Sequence, residues 1–151
     1  MGRLILPETG PVYVDSNSAI YWFEQIEPFA SATAPLWEAL QESRLHVVTS
    51  VLTLLEVLVK PLRDKDDFLI AVYRKVFLET KDLESMEIVK EVLLLAAQIR
   101  ADCRLKTPDA IHAATALQAG ATMFLTNDRG FLKVPGLKVV ILDQLVLGDP
   151  D

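Results

Sequence analysis

Apolar residues in this chain fall into short unbroken runs separated by longer stretches of helical spacing. The runs at 12–14, 45–48, 121–125 and 137–142 read as strands, and a short extended piece is expected near 81–83. Between them the spacing of apolar positions predicts helices over about 19–26, 34–42, 66–78, 86–101 and 109–119. A further helix starts at Thr49 or Ser50 and runs to about Lys60, before Pro61. Ser16-Asn17-Ser18 offers cap residues for the first helix, which Pro28 ends. Thr107-Pro108 opens the last helix, and Gly120 stands where a C-terminal cap belongs. The strand runs are apolar throughout rather than alternating, the pattern of a parallel sheet covered on both faces, so the chain is expected to be α/β. No internal repeat, low-complexity segment or linker interrupts it. We therefore expect a single domain with its core at about 11–143, and fraying at 148–151.

Composition adjusts this picture in a few places. The 151 residues suit one domain, and a hydrophobic share of 51% suggests a further apolar surface covered by a partner. No apolar run approaches the ~18 residues of a membrane span. The start of the chain lacks a basic region followed by an apolar stretch, so no signal peptide is expected. Cys103 is the only cysteine, which excludes an intrachain disulfide and a cysteine zinc site, and it reads as a small core residue. These features point to a cytoplasmic protein.

The net charge of −6, from 15 Lys and Arg against 21 Asp and Glu, argues against charge-driven, non-specific nucleic-acid binding. It does not exclude a nuclease, because bound metal restores positive potential where it is needed. Lys60, Arg63 and Lys65 form one local basic group, and Arg100, Arg104 and Lys106 another. Both read as solvated helix ends, where cations are favoured.

Four acids stand out because their surroundings are apolar or helix-capping. Asp15 ends the run Val12-Tyr13-Val14, where it can start the next helix. It also falls at the carboxyl end of the first strand, where open α/β sheets bind ligands. Glu56 interrupts an apolar helix on a stripe with Thr49, Thr53 and Lys60. With Lys60 it has the spacing of a stabilising pair. The rest of that helix is apolar on nearly every side, so it should be mostly buried with its polar stripe facing a cleft. Asp109 lies in the first turn of its helix, where the dipole favours a carboxylate. Asp128 follows the run 121–125 in the turn Asn127-Asp128-Arg129-Gly130. In a doubly wound fold all four can meet at one sheet edge. Grouped carboxylates repel, and a divalent cation is the simplest group to hold them together.

The residues around these acids resemble the PIN-domain ribonucleases, and most closely the toxins of VapBC-type toxin–antitoxin pairs. The matching segments are Val12-Tyr13-Val14-Asp15-Ser16-Asn17, Thr49-Ser50-Val51-Leu52-Thr53-Leu54-Leu55-Glu56, Thr107-Pro108-Asp109-Ala110-Ile111-His112-Ala113-Ala114-Thr115-Ala116 and Leu125-Thr126-Asn127-Asp128-Arg129-Gly130-Phe131. The resemblance implies a three-layer α/β/α sandwich with a mostly parallel central sheet. It implies cleavage of RNA with Mg²⁺ or Mn²⁺, and Asp15, Glu56, Asp109 and Asp128 as the acidic site. Asn17, Thr126 and Asn127 are its supporting residues. It further implies a small antitoxin protein as partner, and a homodimer is expected with it. Within the site, Asp15 and Asp109 are expected to be the most direct ligands, while Glu56 orients or deprotonates a water.

His112, one turn after Asp109, is expected to be structural, since imidazole is not a typical magnesium ligand. His46 is assigned the same way. Tyr21, Trp22 and Phe23 are expected to pack helices rather than stack bases. A PIN-like module that binds RNA or protein without cutting is the alternative, and it would be expected to have a broken acidic set. An aspartyl phosphatase would place a second acid two residues after the first, where this chain has Asn17. A receiver-like domain would need an acid pair at the first strand and a lysine after the last.

Overall fold

A computed structural model describes residues 3–147. The tail 148–151, expected to fray, lies outside the described residues. Five strands, β1 (Val12–Val14), β2 (Val47–Ser50), β3 (Leu83–Met86), β4 (Met123–Thr126) and β5 (Val139–Ile141), form one sheet in the order β3-β2-β1-β4-β5. Every strand pairing is parallel. The order reverses at β1, which has β2 on one side and β4 on the other. That is the switch point at which the carboxyl ends of such a sheet leave a crevice.

Among the described residues seven helices cover the sheet: α1 (Ser16–Phe23), α2 (Phe29–Gln41), α3 (Val51–Asp64), α4 (Asp67–Glu79), α5 (Lys90–Cys103), α6 (Thr107–Gln118) and α7 (Leu142–Leu147). A 3₁₀ turn, Arg129–Lys133, follows β4. The strands bury both faces because successive residues point to opposite sides. Val12, Val14, Val47, Met123 and Leu125 join one core with α1, α2, α3, α4 and α7. Tyr13, Val48 and Phe124 join a second core with α5 and α6. The three-layer α/β/α sandwich is therefore as expected, with a sheet that is parallel throughout. No helix among the described residues is long and apolar enough to cross a membrane.

Several boundaries differ from the expected ones for physical reasons. Helix α1 begins at Ser16 rather than 19, because Asp15 itself is the cap and accepts from Ser18 N. Helix α2 begins at Phe29 and carries Pro35 in its interior, whereas the spacing of apolar residues suggested a start near 34. Pro61 does not end α3. It is buried in the last turn, and its carbonyl accepts from Asp66 N at 2.9 Å where Lys65 turns left-handed (φ 56°). The extended piece near 81–83 proves to be β3, which continues to Met86, so α5 starts only at Lys90. Its cap position, Val89, makes no side-chain cap bond. The last strand stops at Ile141, and Leu142 begins α7. The backbone N–H of Asp143 in that helix is held by Asn127 Oδ1 at 2.9 Å, a cap supplied from 16 residues away.

Helix α3 departs furthest from expectation. Only Thr53, Val57 and Pro61 are buried, while Leu55, Val59 and Leu62 form an exposed apolar stripe at helical spacing. Cys103 is a core residue as expected. Tyr21, Trp22 and Phe23 do pack helices: Tyr21 stacks on Phe29 at 4.5 Å, and Trp22 and Phe23 meet Trp37 at 6.1 and 5.2 Å. His46 lies just before β2, 3.7 Å from Asp82, at the opposite end of the sheet from Asp15.

Candidate active site

Asp15 follows β1 directly and is 7% exposed. One carboxylate oxygen, Oδ1, accepts from Ser18 N at 3.0 Å and lies 2.7 Å from Ser18 Oγ. That hydroxyl also lies 3.0 Å from Leu125 O, so its single proton is shared between the α1 cap and β4. The other oxygen, Oδ2, accepts from Thr126 Oγ1 at 2.5 Å. Thr126 in turn accepts from Asp128 N at 3.1 Å, so one buried hydroxyl joins the acids that follow β1 and β4. The exposed Asp128 carboxylate is fixed by Gly130 N at 2.8 Å. A Cβ on Gly130 would approach that same oxygen to 3.0 Å, so glycine leaves room for the turn.

Asp109 stands half-buried in the first turn of α6, after Pro108. Burial pushes its carboxyl above the usual carboxylate range. The negative charges of Asp128, Glu56 and Asp15 push the same way, and His112 opposes them. Asp15 is also raised by burial, against the hydrogen bonds from Thr126 and Ser18. The other three acids thus lie within electrostatic reach of Asp109, at the carboxyl edge of the sheet.

Glu56 does not pair with Lys60, which sits 3.2 Å from Asp64 one turn further along the exposed side of α3. Its partner is His112, whose Nε2 lies 2.6 Å from Glu56 Oε1. Nδ1 of the same ring lies 2.6 Å from the Tyr13 hydroxyl. His112 is indeed a buried core residue, but it also anchors one of the four acids. Below Glu56 on the same stripe, Thr49 and Thr53 are buried, 2.7 Å apart, and Thr49 Oγ1 donates to Val14 O at 2.7 Å. The polar side of α3 therefore lies against the end of β1, while its apolar stripe faces outward.

Of the three supporting residues, Thr126 is bound directly to Asp15. Asn127 serves α7, through Asp143 N. Asn17 is exposed on α1. Sequence reasoning missed Ser18, Tyr13 and His112 as members of this network. The signal for His112 was its spacing of three from Asp109, which puts both on one side of α6.

Two observations bear on whether this donor set suits a metal ion. Among the described residues no lysine or arginine pairs with any of the four acids, and His112 is the one basic side chain against them. Equally, no group of three or more His, Cys, Asp or Glu side chains among them is arranged to hold one ion directly. Asp15 is engaged at both oxygens and Glu56 at one. The set fits a hard cation that keeps several waters and takes only one or two direct carboxylates, as Mg²⁺ does, and does not fit an all-protein cage.

Residues 12–137 match the PIN domain family, so the chain belongs to that family of folds and sequences. No curated protein sequence matches it. Among solved structures, it resembles a toxin–antitoxin complex from Klebsiella pneumoniae, at 21% identity and a TM-score of 0.63, covering 87% of this chain and 97% of that one. DNA-bound VapBC from Salmonella typhimurium aligns at 19% identity and a TM-score of 0.66, covering 89% and 99%. VapBC2 from Rickettsia felis, bound to a DNA fragment from its promoter, aligns at 15% identity and 0.66, covering 86% and 97%. At these identities the likeness is one of fold.

Proposed function

We propose that this PIN-domain protein is a metal-dependent endoribonuclease and the toxin of a toxin–antitoxin pair. The observation that carries the proposal is the meeting of Asp15, Glu56, Asp109 and Asp128 at the switch point of the sheet with no lysine or arginine paired to them. Asp15 and Asp109 would hold Mg²⁺ or Mn²⁺, with Asp128 and Glu56 acting directly or through water. When bound, such an ion acidifies a coordinated water and offsets charge on the phosphodiester. The chain's own residues supply position. Thr126 and Ser18 hold the Asp15 carboxylate fixed, and Gly130 N fixes Asp128. Glu56, bound at Oε1 by His112, keeps Oε2 to accept a proton from, or orient, the attacking water.

Cleavage of RNA in the presence of Mg²⁺ or Mn²⁺ tests this. Asp109→Asn and Asp15→Asn should each lower the rate by more than the roughly 10- to 100-fold that a residue behind a metal ligand typically costs. Activity that survives both changes, or persists in excess chelator, rejects the metal mechanism. RNA binding without cleavage at any divalent concentration would favour the non-catalytic module instead. The antitoxin is proposed from the fold likeness to chains solved in toxin–antitoxin complexes and from the exposed Leu55, Val59 and Leu62 stripe, which a small partner or a second copy could cover. Co-purification with the product of an adjacent short gene, with loss of cleavage in the complex, is the result expected.

A further inference from the structure

Tyr13 is the central residue of the shortest kind of buried strand, with the whole side chain inside the protein. Its ring stacks on Phe124 at 5.0 Å with 4° between the planes, and meets His112 edge-on at 5.9 Å. The hydroxyl lies 2.6 Å from His112 Nδ1, with Thr49 and the Ser50 backbone also beside it. The second ring nitrogen faces Glu56 Oε1 at the same distance. Three residues far apart in sequence, on β1, α6 and α3, therefore form one hydrogen-bonded chain from the core to the acidic edge. Glu56 is its only partly exposed member: 30% of its side chain is exposed, against 3% of His112.

Hydrogen-bond chemistry gives this chain a direction. A carboxylate only accepts, so Nε2 must carry the hydrogen that faces Glu56. In a neutral imidazole Nδ1 is then an acceptor. The Tyr13 hydroxyl is fully buried and, as a phenol at neutral pH, carries its proton. The phenol is thus a donor, and His112 Nδ1 is the acceptor at 2.6 Å. Removing it would leave Nδ1 buried with no donor, and the ring would lose its preference between tautomers.

We infer that Tyr13 and His112 are positioning residues for the proposed hydrolysis: the Tyr13 hydroxyl fixes His112 as the Nε2–H tautomer, and that N–H holds Glu56 in one rotamer at the acidic edge. Neither residue touches the reacting atoms, and the inference rests on the nuclease reading for its catalytic consequence. A merely structural pair would stabilise the fold and leave the order of Glu56 and the turnover of the folded enzyme unchanged.

The test has an arm that needs no activity. In the metal-free full chain, nitrogen-15 NMR of the His112 ring should show Nε2–H and a bare Nδ1, and side-chain couplings of Glu56 should report one rotamer. Tyr13→Phe, which keeps the stacked ring, should give mixed tautomers, and His112→Ala should let Glu56 average over rotamers. In the second arm, kcat on an RNA substrate should fall about 10- to 100-fold in His112→Ala with KM unchanged. His112→Gln, which places an amide N–H near the Nε2 position, should recover part of the loss, and Tyr13→Phe should fall between. Protonation of both ring nitrogens, Nδ1–H as the main tautomer, or an ordered Glu56 in His112→Ala overturns the inference. So does an unchanged kcat in folded Tyr13→Phe and His112→Ala. If the wild type cleaves no RNA, the proposed function fails, and the positioning chain is then judged on tautomer and rotamer alone.

Discussion

The two faces of the sheet are built from different residues. On the α1, α2, α4 side, Trp37, Tyr73, Phe77 and Leu36 fill the core, and aromatic rings meet along a continuous path from Trp22 through Trp37 and Phe23 to Phe77. On the α5, α6 side, α6 presents Ala110, Ala113, Ala114 and Ala116, all with no exposed surface, to Tyr13, Phe124 and Phe131. Large rings hold helices away from the sheet and supply burial. Alanines let a helix lie close against strand side chains, which is what allows His112 to reach both the Tyr13 hydroxyl and, across the sheet edge, a carboxylate on α3. One face mainly contributes stability, and the other contributes both stability and the geometry of the acids.

That division can be broken by substitution. Trp37→Ala should have the largest effect on stability, about 3–5 kcal/mol, as expected for emptying a buried aromatic site. The folded fraction should keep its kcat, and urea denaturation alongside single-turnover cleavage separates the two effects. A large fall in kcat per folded molecule would mean that the aromatic face also sets the acids. Ala113→Leu should cost about 1–3 kcal/mol by overpacking, and here activity should fall with stability because α6 must move away from β1. Retained activity would show that α6 can shift without disturbing Asp109.

A smaller change sharpens the comparison at the sheet edge. Thr126→Val keeps the shape of a fully buried residue and removes the bond to Asp15 Oδ2, leaving a buried acceptor short of a donor. It should cost about 1–3 kcal/mol in the metal-free protein. Thermal unfolding at neutral pH measures it, and an unchanged midpoint would show that Ser18 alone suffices for Asp15.

Asp109→Asn should act in the opposite direction. The folded carboxyl is raised above its unfolded value, so the native state binds more protons than the unfolded chain in that window. Stability therefore falls as pH rises from the unfolded value through the folded one. The metal-free Asn variant should lose that slope and melt higher than the wild type at neutral pH, while losing cleavage. A lower midpoint at neutral pH would mean that the acids do not strain one another.

Much of this arrangement was legible in the sequence, because an acid at the end of a fully apolar run has few structural reasons to be there. Asp15 and Asp128 mark the ends of β1 and β4 in that way, and the unbroken strands indicated a covered parallel sheet. Less visible was anything that depends on how a helix is rotated about its axis. Glu56 and Lys60 have the spacing of an ion pair, but so do Lys60 and Asp64, and only the packing of Thr53 and Val57 against the sheet turns Glu56 toward His112. Non-local caps were invisible too. Helix α7 takes its cap from Asn127, and no residue next to Leu142 announces it. Pro61 misled because proline's cost is set by what the lost N–H would have bonded to, and tertiary packing at a buried last turn can outweigh it.

Asp15 is at once the proposed cation ligand and the N-cap of α1. A lineage that abandons catalysis is therefore not free to replace it at random, because most replacements also uncap a helix seated against the central strand. Asparagine and serine are the exits that keep the cap while giving up the charge. Retired copies of this domain should be recognisable by one of those two residues at this position, well before the rest of the chain has drifted.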